Sequence, residues 1–220
     1  MTQFYDIMHN NSYKRGMPET TYIVQGLEDR GPCPTCGVGR RRPTGDLQVQ
    51  LGKTRARMWP DLLACGDYPC FVISERFLSA MKECGVHIVL GGRVEFVGPN
   101  ETGLSLDDAP DYFWVDGNQS RAGKMDFDAS GYVDVQFCPD CGYRRHDIGR
   151  TYDRQHYSDP APGQVFDYDE SSGLDLFTTD LAPTAFFCTS RVYDCARKHK
   201  LINIAFCPVE QGAVGEPLKM

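Results

Sequence analysis

Two five-residue stretches carry the pattern best suited to chemistry: CPTCG at 33–37 and CPDCG at 138–142. In a C-x-x-C turn both sulfurs can face one point, and backbone N–H groups of the turn can lower the cost of the thiolate charge. Pro34 and Pro139 pre-set the turn. Gly37 and Gly142 stand where the chain can take a positive φ and swing away. Two such turns supply the four thiolates of a tetrahedral zinc site, so Cys33, Cys36, Cys138 and Cys141 are the candidate ligands of a Zn2+ ion. The separation is long: 101 residues lie between Cys36 and Cys138, against about 15–20 in a compact ribbon. The expectation is one split zinc ribbon whose halves are joined by a long structured segment. Four thiolates leave no open position for water or substrate, so the metal is expected to be structural. Two other readings stay open. The turns could be tight turns with buried thiols that never meet. They could also be redox pairs, which need an activated thiolate at a helix start; here glycine follows each pair and no helix-forming run begins there.

Other chemistry is sparse. His9, His87, His146, His156 and His199 are scattered, with no H-x-x-x-H or H-E-x-x-H spacing. There is no G-x-S-x-G, P-loop or dinucleotide fingerprint, and no carboxylate pair stands out for acid–base work. No catalytic residue is assigned, and the chain is not expected to be an enzyme. The other six cysteines, Cys65, Cys70, Cys84, Cys188, Cys195 and Cys207, fall in or beside apolar segments and read as small core residues.

The elements that must position the turns also repeat. VISERFLSAMKECGV (72–86) aligns without a gap on FCTSRVYDCARKHKL (187–201). Ser74 meets Thr189 and Arg76 meets Arg191, while Phe77, Leu78 and Met81 meet Val192, Tyr193 and Ala196, each set on one helix face. Ser74 and Thr189 stand where an N-cap belongs, and Gly85 can stop the first helix. Apolar strands flank each helix: CFVI (70–73) and HIVL with RVEFV (87–97) around the first, TAFFC (184–188) and INIAFC (202–207) around the second. DLL (61–63) and DLF (175–177) lie upstream. The order turn, Asp-Leu, strand, helix, strand therefore occurs twice, offset by 105 residues at the turns and 115 at the helices. The predicted fold class is α+β: one domain over 1–220, with two related strand–helix–strand units (about 30–97 and 131–207) joined by the split zinc ribbon. Residues 98–130 read as a loop-rich connection containing the strand YFWV (112–115). GYVDVQF (131–137) reads as a ribbon strand, SDPAPGQ (158–164) as a flexible loop, and 208–220 as a flexible tail.

A chain of 220 residues with 41% hydrophobic and 24% charged residues can build an ordinary core. Its net charge of −7 disfavours a nucleic-acid protein. No secretory signal opens it and no window approaches a membrane span, so the expected location is the cytoplasm. There thiols stay reduced and ten cysteines do not form a disulfide framework. The charge is uneven. From Glu101 to Asp175 sixteen Asp or Glu face six Lys or Arg, a local balance of −10. Such a face suits docking to a basic protein with steered association. Arg40, Arg41, Arg42, Lys53, Arg55 and Arg57 follow the first turn and could contact phosphate, but aromatics do not interleave with them.

Cys33, Cys36 and Gly37 with Cys138, Cys141 and Gly142, about a hundred residues apart, resemble the bacterial double-CXXCG motif family, as does the WPDLL…FVISERFLSAMKECGV stretch. The resemblance spans roughly 30–207. It implies an immunity protein that binds and neutralises a cognate polymorphic toxin in the cytoplasm, the toxin expected to be basic. The alternative is a zinc-ribbon regulatory protein that touches nucleic acid through 40–57.

Overall fold

Both aligned phrases form helices. α1 spans Glu75–Glu83 and α2 spans Ser190–Lys198, nine residues each. Ser74 is the N-cap of α1, its hydroxyl oxygen accepting from the Phe77 N–H at 3.1 Å, which satisfies one of the orphan donors of the first turn. Thr189 holds the same place in α2, but its hydroxyl donates to Asp175 instead. Past α1 the chain turns through Gly85 at φ +69, and past α2 the residue at the matching offset, Lys200, takes φ +51. The turn geometry is thus the same even where glycine is not supplied.

The computed structural model describes residues 3–9, 21–51, 57–65, 71–98, 103–148, 164–180 and 185–209. Within them the fold is mixed α+β, mostly strands. In chain order these are β1 (Phe4–His9), β2 (Thr21–Pro32), β3 (Gly39–Leu51), β4 (Leu62–Ala64), β5 (Phe71–Ser74), β6 (Leu90–Phe96), β7 (Tyr112–Val115), β8 (Arg121–Met125), β9 (Tyr132–Phe137), β10 (Arg144–Ile148), β11 (Phe166–Tyr168), β12 (Leu176–Thr179), β13 (Phe186–Thr189) and β14 (Ile204–Pro208). They make two six-stranded sheets, β2-β3-β6-β7-β5-β4 and β11-β8-β12-β13-β1-β14, and the separate hairpin β9-β10.

The two large sheets share a motif. β4-β5-β7-β6 in one matches β12-β13-β1-β14 in the other, with each helix following the equivalent strand, β5 or β13. Ser74 pairs with Tyr112 as Thr189 pairs with Phe4. The strand playing the part of β7 in the second sheet is therefore β1, from the opposite end of the chain. FYDIMH carries little strand signal in the sequence, because its partners lie about 180–200 residues away and a period-2 signal is short there.

The connection 98–130 carries more regular structure than a loop-rich reading expects. It supplies β7, which pairs with both β5 and β6, and β8, which runs parallel to β12. The apolar positions of RAGKM (Ala122, Met125) do face a core, but two charges and a glycine mask the alternation. Of the expected tail 208–220, Pro208 belongs to β14 and 210–220 lie outside the described residues, as does most of the 158–164 loop.

Strand alternation divides the interior into three. Phe71 and Ile73 face a central core with Phe186, Cys188, Leu62, Phe206 and the apolar faces of both helices. Val72, between them, faces an outer core with Leu47, Val49, Tyr112 and Trp114, and Phe187 faces its counterpart with Phe177, Ala122 and Met125. A strand buried on both faces has no polar side, which is why β5 and β13 read as unbroken apolar runs. Phe71 and Phe186, equivalent positions of the two units, stack on each other with centroids 4.6 Å apart.

Charged pairs lock the halves. Asp61 Oδ1 accepts from Ser74 Oγ (2.9 Å) and its Oδ2 from Arg76 (2.8 Å); Asp175 Oδ1 accepts from Thr189 Oγ1 (2.8 Å) and its Oδ2 from Arg191 (3.0 Å). Each guanidinium then crosses to the other half. Arg76 donates to the carbonyls of His199 and Lys200, past the end of α2, and Arg191 to those of Cys84 and Gly85, past the end of α1. These are terminal carbonyls with no partner inside their own helix.

Candidate functional site

The two C-x-x-C turns meet. Each is built by the same hydrogen bonds: the Gly37 N–H reaches the Cys33 carbonyl and the Gly142 N–H the Cys138 carbonyl, while Cys33 N–H bonds Val38 O and Cys138 N–H bonds Tyr143 O. Gly37 and Gly142 lie at φ +74 and +69, in the left-handed region open to glycine at little cost. The first turn joins β2 to β3 and the second joins β9 to β10. Cys33 Sγ lies 3.7 Å from Cys138 Sγ and Cys36 Sγ 3.5 Å from Cys141 Sγ, and all four sulfurs fall within 4.8 Å of one another. A tetrahedral ion with metal–sulfur bonds of about 2.3 Å needs sulfurs about 3.75 Å apart. The four cysteines of the sequence reading are thus assembled at a spacing that can hold a metal ion.

The position at which the turns differ is itself a contact. Thr35 Oγ1 donates to the Asp140 carboxylate across the junction. Two aspartates there would repel, so the one-residue difference between CPTCG and CPDCG is complementary.

Electrostatics of the cluster favour a cation. The N–H groups of Cys36 and Thr35 point at Cys33 and bring its thiol down to about 6. At Cys141 the Tyr143 N–H also favours the thiolate, yet burial and the three neighbouring sulfurs outweigh it and push the thiol up to about 12. Four adjacent sulfurs can all be charged only when a positive ion sits among them. Cys33 and Cys138 are buried, whereas Cys36 is exposed.

Beside the second turn lies an open groove of about 710 Å³. β8 and the turn after it supply Lys124, Asp126, Phe127 and Asp128; β9 supplies Tyr132, Asp134 and Phe137; β11 adds Asp167. Four carboxylates against one ammonium give its lining a balance of −3. Asp134 takes φ +54, next to a register shift in the β9–β10 pairing, and such bulges re-aim side chains. Arg144 lies over the rings of Phe137 (4.9 Å) and Phe127 (5.5 Å) and pairs with Asp180 at 2.9 Å, which holds the aromatic wall in place. Of its apolar lining, Phe137 and Val133 are exposed.

The basic stretch after the first turn is differently placed. Arg41 pairs with Asp29, Arg42 with Glu28, and Arg40 donates to the carbonyls of Gly31 and Arg30. Lys53 and Arg55 lie outside the described residues. Of the histidines, His87 is exposed and His199 half-buried, and the side chains of the other three are not described. Cys65, Cys188, Cys195 and Cys207 are buried as expected, Cys84 is half-buried, and Cys70 lies outside the described residues. The individual groove carboxylates were not singled out by sequence; their signal was the acid-rich segment as a whole. Among the described residues no helix is long and apolar enough to cross a membrane.

No protein-family model matches the chain, and no curated protein matches it.

Proposed function

We propose that this chain is an immunity protein: it binds and blocks a basic cognate toxin through the acidic, aromatic-walled groove, on a scaffold whose two halves are stapled by a structural Zn2+ ion in a split zinc ribbon. The observation that carries the reading is the groove. It lies in the Glu101–Asp175 segment with the −10 balance and combines carboxylates with exposed Phe137 and Val133. Carboxylates steer a basic partner and aromatic anchors supply the desolvated contact. The resemblance of the paired CPxCG turns to double-CXXCG immunity proteins supports the same reading. Inhibition by covering needs a rigid face and no catalytic group, and the cytoplasm is where such a partner would be met. Zn2+ suits four thiolates in a tetrahedron better than harder cations do, and the matched turns and helices support an origin by internal duplication. The nucleic-acid alternative is less well supported, since Arg41 and Arg42 already have carboxylate partners.

The test is co-expression. The open reading frame beside this gene is expressed in a sensitive host with the wild-type protein and with an Asp128→Lys/Asp167→Lys variant, which shifts the groove by four charges. Expected: the neighbour kills alone, the wild type restores growth, and the variant associates at least about tenfold more slowly at low salt. A harmless neighbour, killing despite the wild type, or a variant that binds at the wild-type rate overturns the reading.

A further inference from the structure

We infer that the chain holds a second metal centre of the zinc class, formed by Cys84, Cys195 and His199 where the two helices meet. It does not rest on the toxin reading. Cys195 and His199 stand four residues apart on α2 and its C-cap, so they share a face. Cys84 is the C-cap of α1, from the other half. Their donor atoms all lie within 4.8 Å of one another. Cys84 Sγ is 3.8 Å from His199 Nε2, and a tetrahedral ion with bonds of about 2.3 Å to sulfur and about 2.05 Å to nitrogen needs about 3.6 Å.

The surroundings fit an ion that can arrive and stay. Cys195 is buried, while Cys84 and His199 are half-buried, so the site opens on one side only. On that side Glu83 Oε1 lies 3.6 Å from His199 Nε2, held by Lys198 at 2.9 Å. A small rotation of Glu83, or a water, completes four-coordination. Soft sulfur with imidazole selects zinc-class ions over magnesium or calcium. On binding, the two thiols each lose a proton to solvent, Cys195 giving up its hydrogen bond to the Ala80 carbonyl, and two metal–sulfur bonds form. Among the described residues three protein donors converge without rearrangement, so this ion binds more weakly than one held by four cysteines.

The arrangement has a consequence for the fold. Cys84 belongs to the first unit, Cys195 and His199 to the second. The ion would staple the halves at the helices as the four-cysteine cluster can at the turns. The gapless repeat already pairs Cys84 with His199 and Ala80 with Cys195, so the site draws on matched positions of the two units yet is built from unlike residues.

The experiment is a Cd2+ titration of reduced, metal-free full-length protein, followed by cadmium-113 NMR, on the wild type, His199→Gln and Cys84→Ser. Expected: each variant binds one ion fewer than the wild type and loses one resonance, the one shifted toward mixed sulfur–nitrogen coordination. A resonance from four sulfurs, where present, stays put and reports that the variant is folded. Wild type and both variants taking up the same number of ions, with the same resonances, overturns the site, whatever the four-cysteine cluster does.

Discussion

Removing either crossing arginine should destabilise the fold, and unequally. The side chains of Asp61 and Asp175 are only 4% and 7% exposed, while Arg76 and Arg191 are 52% and 57% exposed. Each pair is thus half in water. A hydrogen bond to a charged group contributes about 1.5–3 kcal/mol and a surface ion pair about 0–1, so the exposed guanidinium places each pair near the low end of the first range. What differs is the carboxylate left behind. Without Arg76, Asp61 still accepts from Ser74 Oγ and from the Ile202 N–H at 2.7 Å. Without Arg191, Asp175 keeps Thr189 Oγ1 as its side-chain donor. A buried charge with fewer donors is the costlier one. Arg76→Ala should therefore cost about 1.5 kcal/mol and Arg191→Ala about 2. Urea unfolding reads this as two lowered midpoints with an unchanged slope. If Arg76→Ala proves the more damaging, or both cost under about 0.5 kcal/mol, the account of crossing clamps over buried carboxylates is refuted.

Cys138→Ser should abolish metal at the four-cysteine cluster, measured by elemental analysis, and lower stability. A metal ion there would close a loop of about a hundred residues, for which an equivalent covalent closure contributes about 4–5 kcal/mol; with Zn2+ as the proposed ion, a zinc chelator should do the same to the wild type. Asp6→Asn should stabilise at high pH only. Burial on the β1 face that pairs with Phe187, away from the central core, raises the Asp6 carboxyl from 3.8 to about 7, so the native state binds the extra proton and stability falls as pH rises from about 4 to 7. The gain, at most about 4 kcal/mol and less because the carboxyl is partly open to water, should appear in melts at pH 8 and vanish below pH 4. Gly91→Ala should cost about 2–3 kcal/mol, since a Cβ there would lie 2.1 Å from the Trp114 ring and the indole must shift. Tryptophan fluorescence and thermal melting would show it, and a soluble variant with an unchanged melt would count against that packing.

The sequence by itself determined the local parts. The two turns were legible because Cys, Pro and Gly each act within five residues. The helices were legible from 3.6-residue periodicity, and Ser74 and Thr189 as N-cap positions from a hydroxyl residue before an amphipathic run, although only the Ser74 hydroxyl caps. The offsets of 105 and 115 even announced that the parts come in pairs.

What the sequence could not determine is which distant parts touch, because pairing between strands depends on backbone hydrogen bonds common to every residue. So β1 as the β7 of the second sheet was invisible, and so was the entry of β7 and β8 into different sheets. Thr35 against Asp140 looked like a trivial difference between two turns until the fold placed them opposite each other. Arg76 and Arg191 looked like matched surface residues, and only docking of the two halves put each at the end of the other's helix. Cys84 and His199 were separately unremarkable. Chemistry there depends on three donors within a few ångströms, a distance that only tertiary packing sets.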